Sequence, residues 1–228
     1  MIASLYAKKF ILAGLSTMSM AFAAPGIKAD VSVLVVNSDE AEGQLSLQNM
    51  GSRPIMLLTR ISPCGDDKRP LFTIMPPLVR IEANKKQRVH FKLTGHRDGK
   101  TQRLMFVNLD ALPVESGSGP GERQSVPIIF TPEGLAPKPD PWTLLQWSMI
   151  NKQLTVQNNS PYVVRLGKEV DTLPGQNEWR LSQDYLLPGE RQVLVAKNKI
   201  LSGEMHVVLS PISNENNTTG RYTATIGQ

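Results

Sequence analysis

Cysteine and histidine are scarce in this chain of 228 residues, which carries one Cys and three His. A single thiol cannot close an intramolecular disulfide, nor supply a zinc site that needs two or more thiolates. Three histidines leave little material for metal or acid–base chemistry. His90 falls inside an alternating run, His96 in a turn-like His-Arg-Asp-Gly stretch, and His206 at the start of another run. The sequence contains no H-E-x-x-H, G-x-S-x-G, Walker or C-x-x-C motif, and an enzyme is not expected. It also lacks any long stretch with a capped 3.6-residue apolar period, which argues against a helical fold. No apolar run reaches the ~20 residues of a comfortable transmembrane helix. The formal charge is +5, but the basic residues are scattered, with no run beyond Lys85-Lys86, so nothing points to nucleic acid.

What is present begins with an address. Lys8 and Lys9 precede an apolar segment from Phe10 to Phe22, and Ala21-Phe22-Ala23 forms an A-x-A cleavage site. Residues 1–23 read as a secretory signal peptide, with a later cut after Ala29 as the alternative. Cleavage after Ala23 leaves 205 residues and lowers the charge from +5 to +3, because the signal holds Lys8 and Lys9 and no acid. Export makes the single Cys64 notable, since oxidising compartments favour paired cysteines. It sits in Ser62-Pro63-Cys64-Gly65-Asp66, which is turn chemistry. It is read as an unpaired, partly buried thiol, with a mixed disulfide to a partner as the alternative.

Apolar residues make up 40% of the chain, which argues against disorder, and the length suits one or two domains with their own cores. Short apolar or alternating runs recur at residues 31–36, 45–47, 55–58, 89–93, 104–109 and 126–130, and again at 144–150, 154–156, 163–166, 193–195, 207–209 and 222–226. Gly, Pro, Asn and Asp separate them. Runs of ~4–8 residues at this spacing predict an all-β sandwich or barrel. Residues 131–141 hold four prolines. Proline fixes φ and cannot donate to a sheet ladder, so this stretch reads as a stiff link between two bodies. The expected organisation is a domain at 24–131, a linker at 132–141 and a second domain at 142–228. Residues 115–122 are Gly- and Ser-rich and read as a loop without the strand-to-helix context of a phosphate cradle. Acidic pairs such as Asp66-Asp67 lie in turn-like surroundings. Asn158-Asn159-Ser160 and Asn217-Thr218-Thr219 match a glycosylation sequon, which matters only in a eukaryotic route.

Several stretches, taken in order, resemble the periplasmic pilus-assembly chaperones. Residues 72–82, around Pro76-Pro77 and Arg80-Ile81-Glu82, are similar to that family's "PP-x-x-R-L-E-P" segment. Residues 87–91 are similar to the strand that follows it, and residues 103–113 resemble "S-L-F-x-x-N-x-x-x-I-P". Residues 154–164 are similar to "L-x-x-x-N-P-T-P-Y-Y", and Leu187-Pro188-Gly189-Glu190 stands where the family has a proline-centred turn. The resemblance implies two immunoglobulin-like β-sandwich domains set as a boomerang. It implies a chaperone that lends a strand to pilin or fimbrial subunits and delivers them to an outer-membrane usher, by main-chain pairing plus alternating apolar side chains. It implies no cofactor, metal or nucleotide.

The site residues implied by the resemblance fit unevenly. The family's cleft arginine and lysine, which hold a pilin's terminal carboxylate, fall near Val33 and at Pro127, neither of them basic. Pro127 also removes a donor from the strand to be lent. Arg123 is a conceivable substitute that no spacing singles out. Gln102 replaces the acid that helps fix the domain angle. Val126, Ile128 and Phe130 are the candidate alternating knobs of the donor strand, and equally candidates for ordinary core. A second reading is therefore kept: an accessory or structural immunoglobulin-like module of a fimbrial system that does not capture pilin carboxylates.

Overall fold

A computed structural model describes residues 26–66, 68–95, 99–114, 121–197, 203–214 and 220–227. The signal segment with Ala23, the His96 turn, most of the Gly/Ser stretch and the Asn217 sequon lie outside the described residues.

The first nine strands are β1 (Ile27–Ala29), β2 (Leu34–Asn37), β3 (Glu42–Asn49), β4 (Ile55–Pro63), β5 (Phe72–Met75), β6 (Leu78–Ile81), β7 (Lys86–Leu93), β8 (Arg103–Pro113) and β9 (Glu122–Thr131). They form two facing sheets, ordered β1-β3-β7-β5 and β2-β9-β8-β4-β6. Period-two alternation sends Leu45, Leu47, Val89 and Phe91 from one sheet into contact with Leu57, Val107, Leu109 and Ile128 from the other, and all eight are fully buried. Each such side chain contributes about 1.5–3 kcal/mol by leaving water. Phe72 and Phe130 meet edge to face at 6.4 Å.

Residues 31–36 are not one continuous strand. The chain pairs β1 with β3, leaves that sheet after Ala29, and joins the opposite sheet as β2 alongside β9. A cut after Ala29 would remove β1 altogether.

The second body opens with a 3-10 turn (Pro141–Leu144). Its strands are β10 (Gln146–Ile150), β11 (Gln153–Gln157), β12 (Val164–Arg165), β13 (Glu169–Leu173), β14 (Asn177–Arg180), β15 (Tyr185–Leu186), β16 (Arg191–Val193), β17 (Val195–Ala196), β18 (His206–Leu209) and β19 (Tyr222–Gly227). Eight of them run in the order β16-β11-β10-β19-β18-β13-β14-β17, with β12 and β15 as a separate pair. The two ends of that order, β16 and β17, are adjacent in sequence. The expected single run at 193–195 is thus a crossing: buried Leu194 passes the chain from one edge to the other, and the sheet folds around its own core of Trp147, Leu154, Val156, Trp179 and Val207.

The two bodies share a device. In each, a fully buried asparagine at a strand end satisfies a loop's backbone. The Asn49 amide donates to the carbonyls of Arg53, Ile81 and Glu82 and accepts from the Gly51 N–H. The Asn158 amide donates to Tyr162, Leu186 and Leu187 and accepts from Ser160. The sequon asparagine Asn158 is therefore a structural pin with no free amide to modify.

Candidate functional site

The chain's own architecture leaves one strand half-paired. β9 pairs with β8 along its whole length, from Glu122 opposite Ala111 to Phe130 opposite Arg103. On its other side β2 covers only Ile128 to Thr131. Among the described residues, no strand pairs with the outer edge of β9 from Glu122 to Pro127.

The direction of the backbone groups follows from one hydrogen bond. The Thr131 carbonyl accepts from the Ser38 N–H at 2.9 Å, on the β2 side. Successive residues of a strand point their N–H and C=O to opposite edges, so Ile129, Pro127, Ser125 and Arg123 address the same side. The open edge thus offers both main-chain groups of Arg123 and Ser125 and the carbonyl of Pro127. Pro127, lacking its N–H, marks where the covered half ends.

Side chains on the outer face change character along the sheet. Ile129 lies opposite Leu104, Pro127 opposite Phe106, Ser125 opposite Asn108 and Arg123 opposite Asp110. The Ser125 hydroxyl donates to Asn108 Oδ1 at 3.2 Å, and the Asn108 amide donates to Ser62 Oγ at 2.7 Å. Arg123 Nε donates to Asp110 Oδ1 at 2.5 Å, and Arg60 binds the other oxygen. The hydrogen bond from Arg123, with help from Arg60, holds the Asp110 carboxyl below the usual range despite burial pushing it up. Beyond this charged row, Leu112 and Val114 are exposed at 47% and 39%.

The candidate knobs Val126, Ile128 and Phe130 point the other way. They are 3%, 0% and 1% exposed and belong to the first domain's core, so of the two roles open to them the free chain places them in core. The outward set of β9 is instead Arg123, Ser125, Pro127 and Ile129. Arg123 is spoken for by Asp110, and four residues at ~3.3 Å put it about 13 Å from Pro127.

The seam between the two bodies is built on the same face. Val33, Leu104, Ile129 and Val163 form a buried cluster, with Val35, Cys64, Phe106, Tyr185 and Leu187 packed against it. Val33, the position implied for a cleft arginine, is thus an apolar seam residue. Gln102 makes three bonds, two of them across the seam and the one to Thr131 within the first domain. Its N–H donates to the Pro161 carbonyl at 2.8 Å, its Oε1 accepts from the Val163 N–H at 2.9 Å, and its Nε2 donates to Thr131 Oγ1 at 3.1 Å. The missing acid is therefore replaced by a neutral side chain that both donates and accepts. Phe106 and Tyr185 meet at 5.9 Å, and Cys64 Sγ donates to Tyr185 Oη at 3.2 Å. Burial, and then the Cys64 contact, push the Tyr185 phenol well above its usual pKa. Gly65 has φ +78°, and a Cβ there would meet Leu187 Cδ1 at 2.8 Å, so this turn requires glycine. Sequence reading found Gln102 as a departure but not as a tie, and did not find Tyr185. Neither has a local signature, because each acts only across the seam.

Comparison with known proteins agrees with this geometry. Residues 26–136 match the pili and flagellar-assembly chaperone model for the PapD N-terminal domain, and residues 140–215 match the pili assembly chaperone PapD C-terminal domain. The uncharacterized fimbrial chaperone YhcA of Escherichia coli K12 is 27% identical over 177 residues, covering 75% of this chain and 79% of that protein. The chaperone protein FimB/FhaD of Bordetella pertussis is 24% identical over 180 residues, covering 69% and 74%. Among solved structures, the Salmonella enterica SafA pilin in complex with the SafB chaperone superposes with a TM-score of 0.74 at 18% identity, covering 90% of this chain and 99% of that one. With both family models spanning an all-β pair of domains joined through a tied seam, the chain belongs to the PapD-like pilus-assembly chaperone family.

Proposed function

We propose that this chain is a periplasmic chaperone that binds fimbrial subunits by strand addition along β9 and delivers them to an outer-membrane usher. It reaches the periplasm through the signal at residues 1–23. The observation that carries the reading is the outer edge of β9 from Glu122 to Pro127, unpaired among the described residues, which opens beside the seam of a two-domain chaperone fold. Main-chain pairing supplies affinity in such an arrangement, and flanking apolar side chains such as Leu112 and Val114 supply contact area.

Because the outward residues Arg123 and Ser125 are polar, backbone pairing carries more of the recognition than apolar knobs do. The apolar character of Val33 and Pro127 favours the second reading, a fimbrial immunoglobulin-like module that does not capture carboxylates at those positions. The two are separated by co-purification of fimbrial subunits from periplasm with the wild type and with Ser125→Pro. Proline at this edge removes a donor that no strand among the described residues uses, so folding is retained. Loss of the subunit with an unchanged melting temperature supports strand addition. Equal capture by both proteins, or no capture by the wild type, overturns it.

A further inference from the structure

A groove opens in the first domain on the side away from β9. β6 covers the outer edge of β4 only from Ile55 to Leu58, and β5 is the last strand of the facing sheet. The sandwich is therefore open between residues 59–63 of β4 and 72–74 of β5. The opening is a cavity of about 600 Å³, within the range of about 300–1,000 Å³ that small-molecule sites occupy. Its walls are Ile61, Leu71, Phe72, Ile74 and Met105. Leu71, Phe72 and Met105 belong to the buried core, and Ile61 and Ile74 pack against it while only half-buried themselves.

Main-chain pairing gives little hold here. The Thr59 N–H donates to the Pro77 carbonyl at 2.8 Å, so Thr59, Ile61 and Pro63 turn their main-chain groups towards the groove. The Thr59 donor is already taken, and Pro63 has none. β4 thus offers both groups at Ile61 alone. β5 is only four residues long and runs straight into Pro76-Pro77. Thr59 and Pro77, both in the lining, close the inner end. Recognition in this groove therefore falls to its apolar walls and to the charge at its rim.

That charge has one sign. Arg60, Lys68 and Arg69 line the groove, and among the described residues no acid does. Arg60 is bound to Asp110 on the outer face of the sheet, and the Arg69 carbonyl accepts from Arg103. Lys68 is exposed and has no acidic partner among the described residues. Apolar walls beside an exposed ammonium complement a molecule with a hydrocarbon body and an anionic head. We propose that this groove binds a single-chain anionic amphiphile from solution, with its hydrocarbon body between Ile61 and Ile74 and its carboxylate on Lys68. The site is separate from β9 and does not rest on strand addition.

The test uses the mature full chain with octanoate, octan-1-ol and acetate as probes. By calorimetry octanoate is expected to bind about 10-fold more tightly than octan-1-ol. Acetate, which has the head without the body, is expected not to bind. Methyl carbon-13 NMR should place the octanoate shifts at Ile61, Ile74 and Met105, and leave the exposed Leu112 and Val114 unmoved. Lys68→Gln should lower octanoate to the affinity of octan-1-ol and leave octan-1-ol unchanged, and Lys68→Arg should keep the preference. Ile74→Trp fills the groove and should abolish binding of both, with its melting temperature reporting that it folds. If that variant does not fold, the Lys68 pair and the methyl shifts decide.

Octanoate that fails to bind, methyl shifts centred on Leu112 and Val114, or a carboxylate preference that persists in Lys68→Gln overturns the proposal. Capture of the chain by phosphatidylglycerol vesicles without octanoate binding overturns it in favour of a bilayer surface. Concentration-dependent dimerisation without octanoate binding, lost in a folded Ile74→Trp, overturns it in favour of a second copy of this chain.

Discussion

Gln102→Ala is expected to uncouple the two domains while leaving each folded. The substitution removes the acceptor of the Val163 N–H, a residue with no exposed surface, and the donor to Thr131 Oγ1. A buried N–H left unsatisfied costs about 1–3 kcal/mol, and an ordinary hydrogen bond contributes about 0.5–1.5 kcal/mol. Of the two bonds lost, only the one to Val163 crosses to the second domain, so the loss is worth about 1–3 kcal/mol, or about 5- to 140-fold in the docking equilibrium at 1.4 kcal/mol per tenfold. What remains is the Gln102 N–H to Pro161 bond and the apolar cluster around Leu104, Ile129 and Val163, which alanine does not touch. Calorimetry should show the wild type unfolding in one transition and the variant in two. Small-angle scattering should show a wider spread of inter-domain distances. Gln102→Glu keeps an acceptor for Val163, and should fall between them. A Gln102→Ala protein with wild-type calorimetry and scattering would refute the assignment of Gln102 as the tie.

Ile128→Asp should unfold the first domain and spare the second. It removes a fully buried side chain, worth ~2–5 kcal/mol in a core setting, and adds an unpaired buried carboxyl; near-UV spectra retaining the signal of buried Trp147 and Trp179 while overall strand content falls would check this. A folded Ile128→Asp protein that had lost only subunit binding would instead return Ile128 to the donor role. Asp110 shapes the acid limb of stability. Its pKa is depressed in the folded state, so its contribution is fully present above the ordinary carboxylate range near pH 4 and is lost as pH falls through the lower folded value. Arg123→Gln should therefore reduce the stability lost between neutral pH and acid, and a denaturant series across pH that shows no change would contradict this.

The strand pattern was legible wherever one face is buried and the other wet. The runs at 45–47, 89–93 and 104–109 reappear as the alternating cores of β3, β7 and β8. β13 and β14 were missed because most of their residues are polar: Glu169, Asp171 and Thr172 in one, Asn177, Glu178 and Arg180 in the other. Their buried positions do alternate, Val170 with Thr172 and Asn177 with Trp179, but one of each pair is polar, so the apolar residues alone show no period. The order of motifs also carried the family resemblance, since prolines and strand-end turns constrain the backbone locally.

For the site, the sequence determined which residues stand on β9 and that Val33, Gln102 and Pro127 depart from a basic and acidic pattern. It could not determine which face of β9 looks inward, because Val126, Ile128, Ile129 and Phe130 are all apolar and period two gives two answers. Only the tertiary structure decided that three of them fill the first core and that Ile129 joins the seam. It alone turned Gln102 into a tie, set Tyr185 on Phe106, and left a guanidinium nitrogen of Arg165 buried without an acceptor among the described residues. Each of these depends on two segments meeting across the seam, and the chemistry of such a meeting is written in neither segment alone.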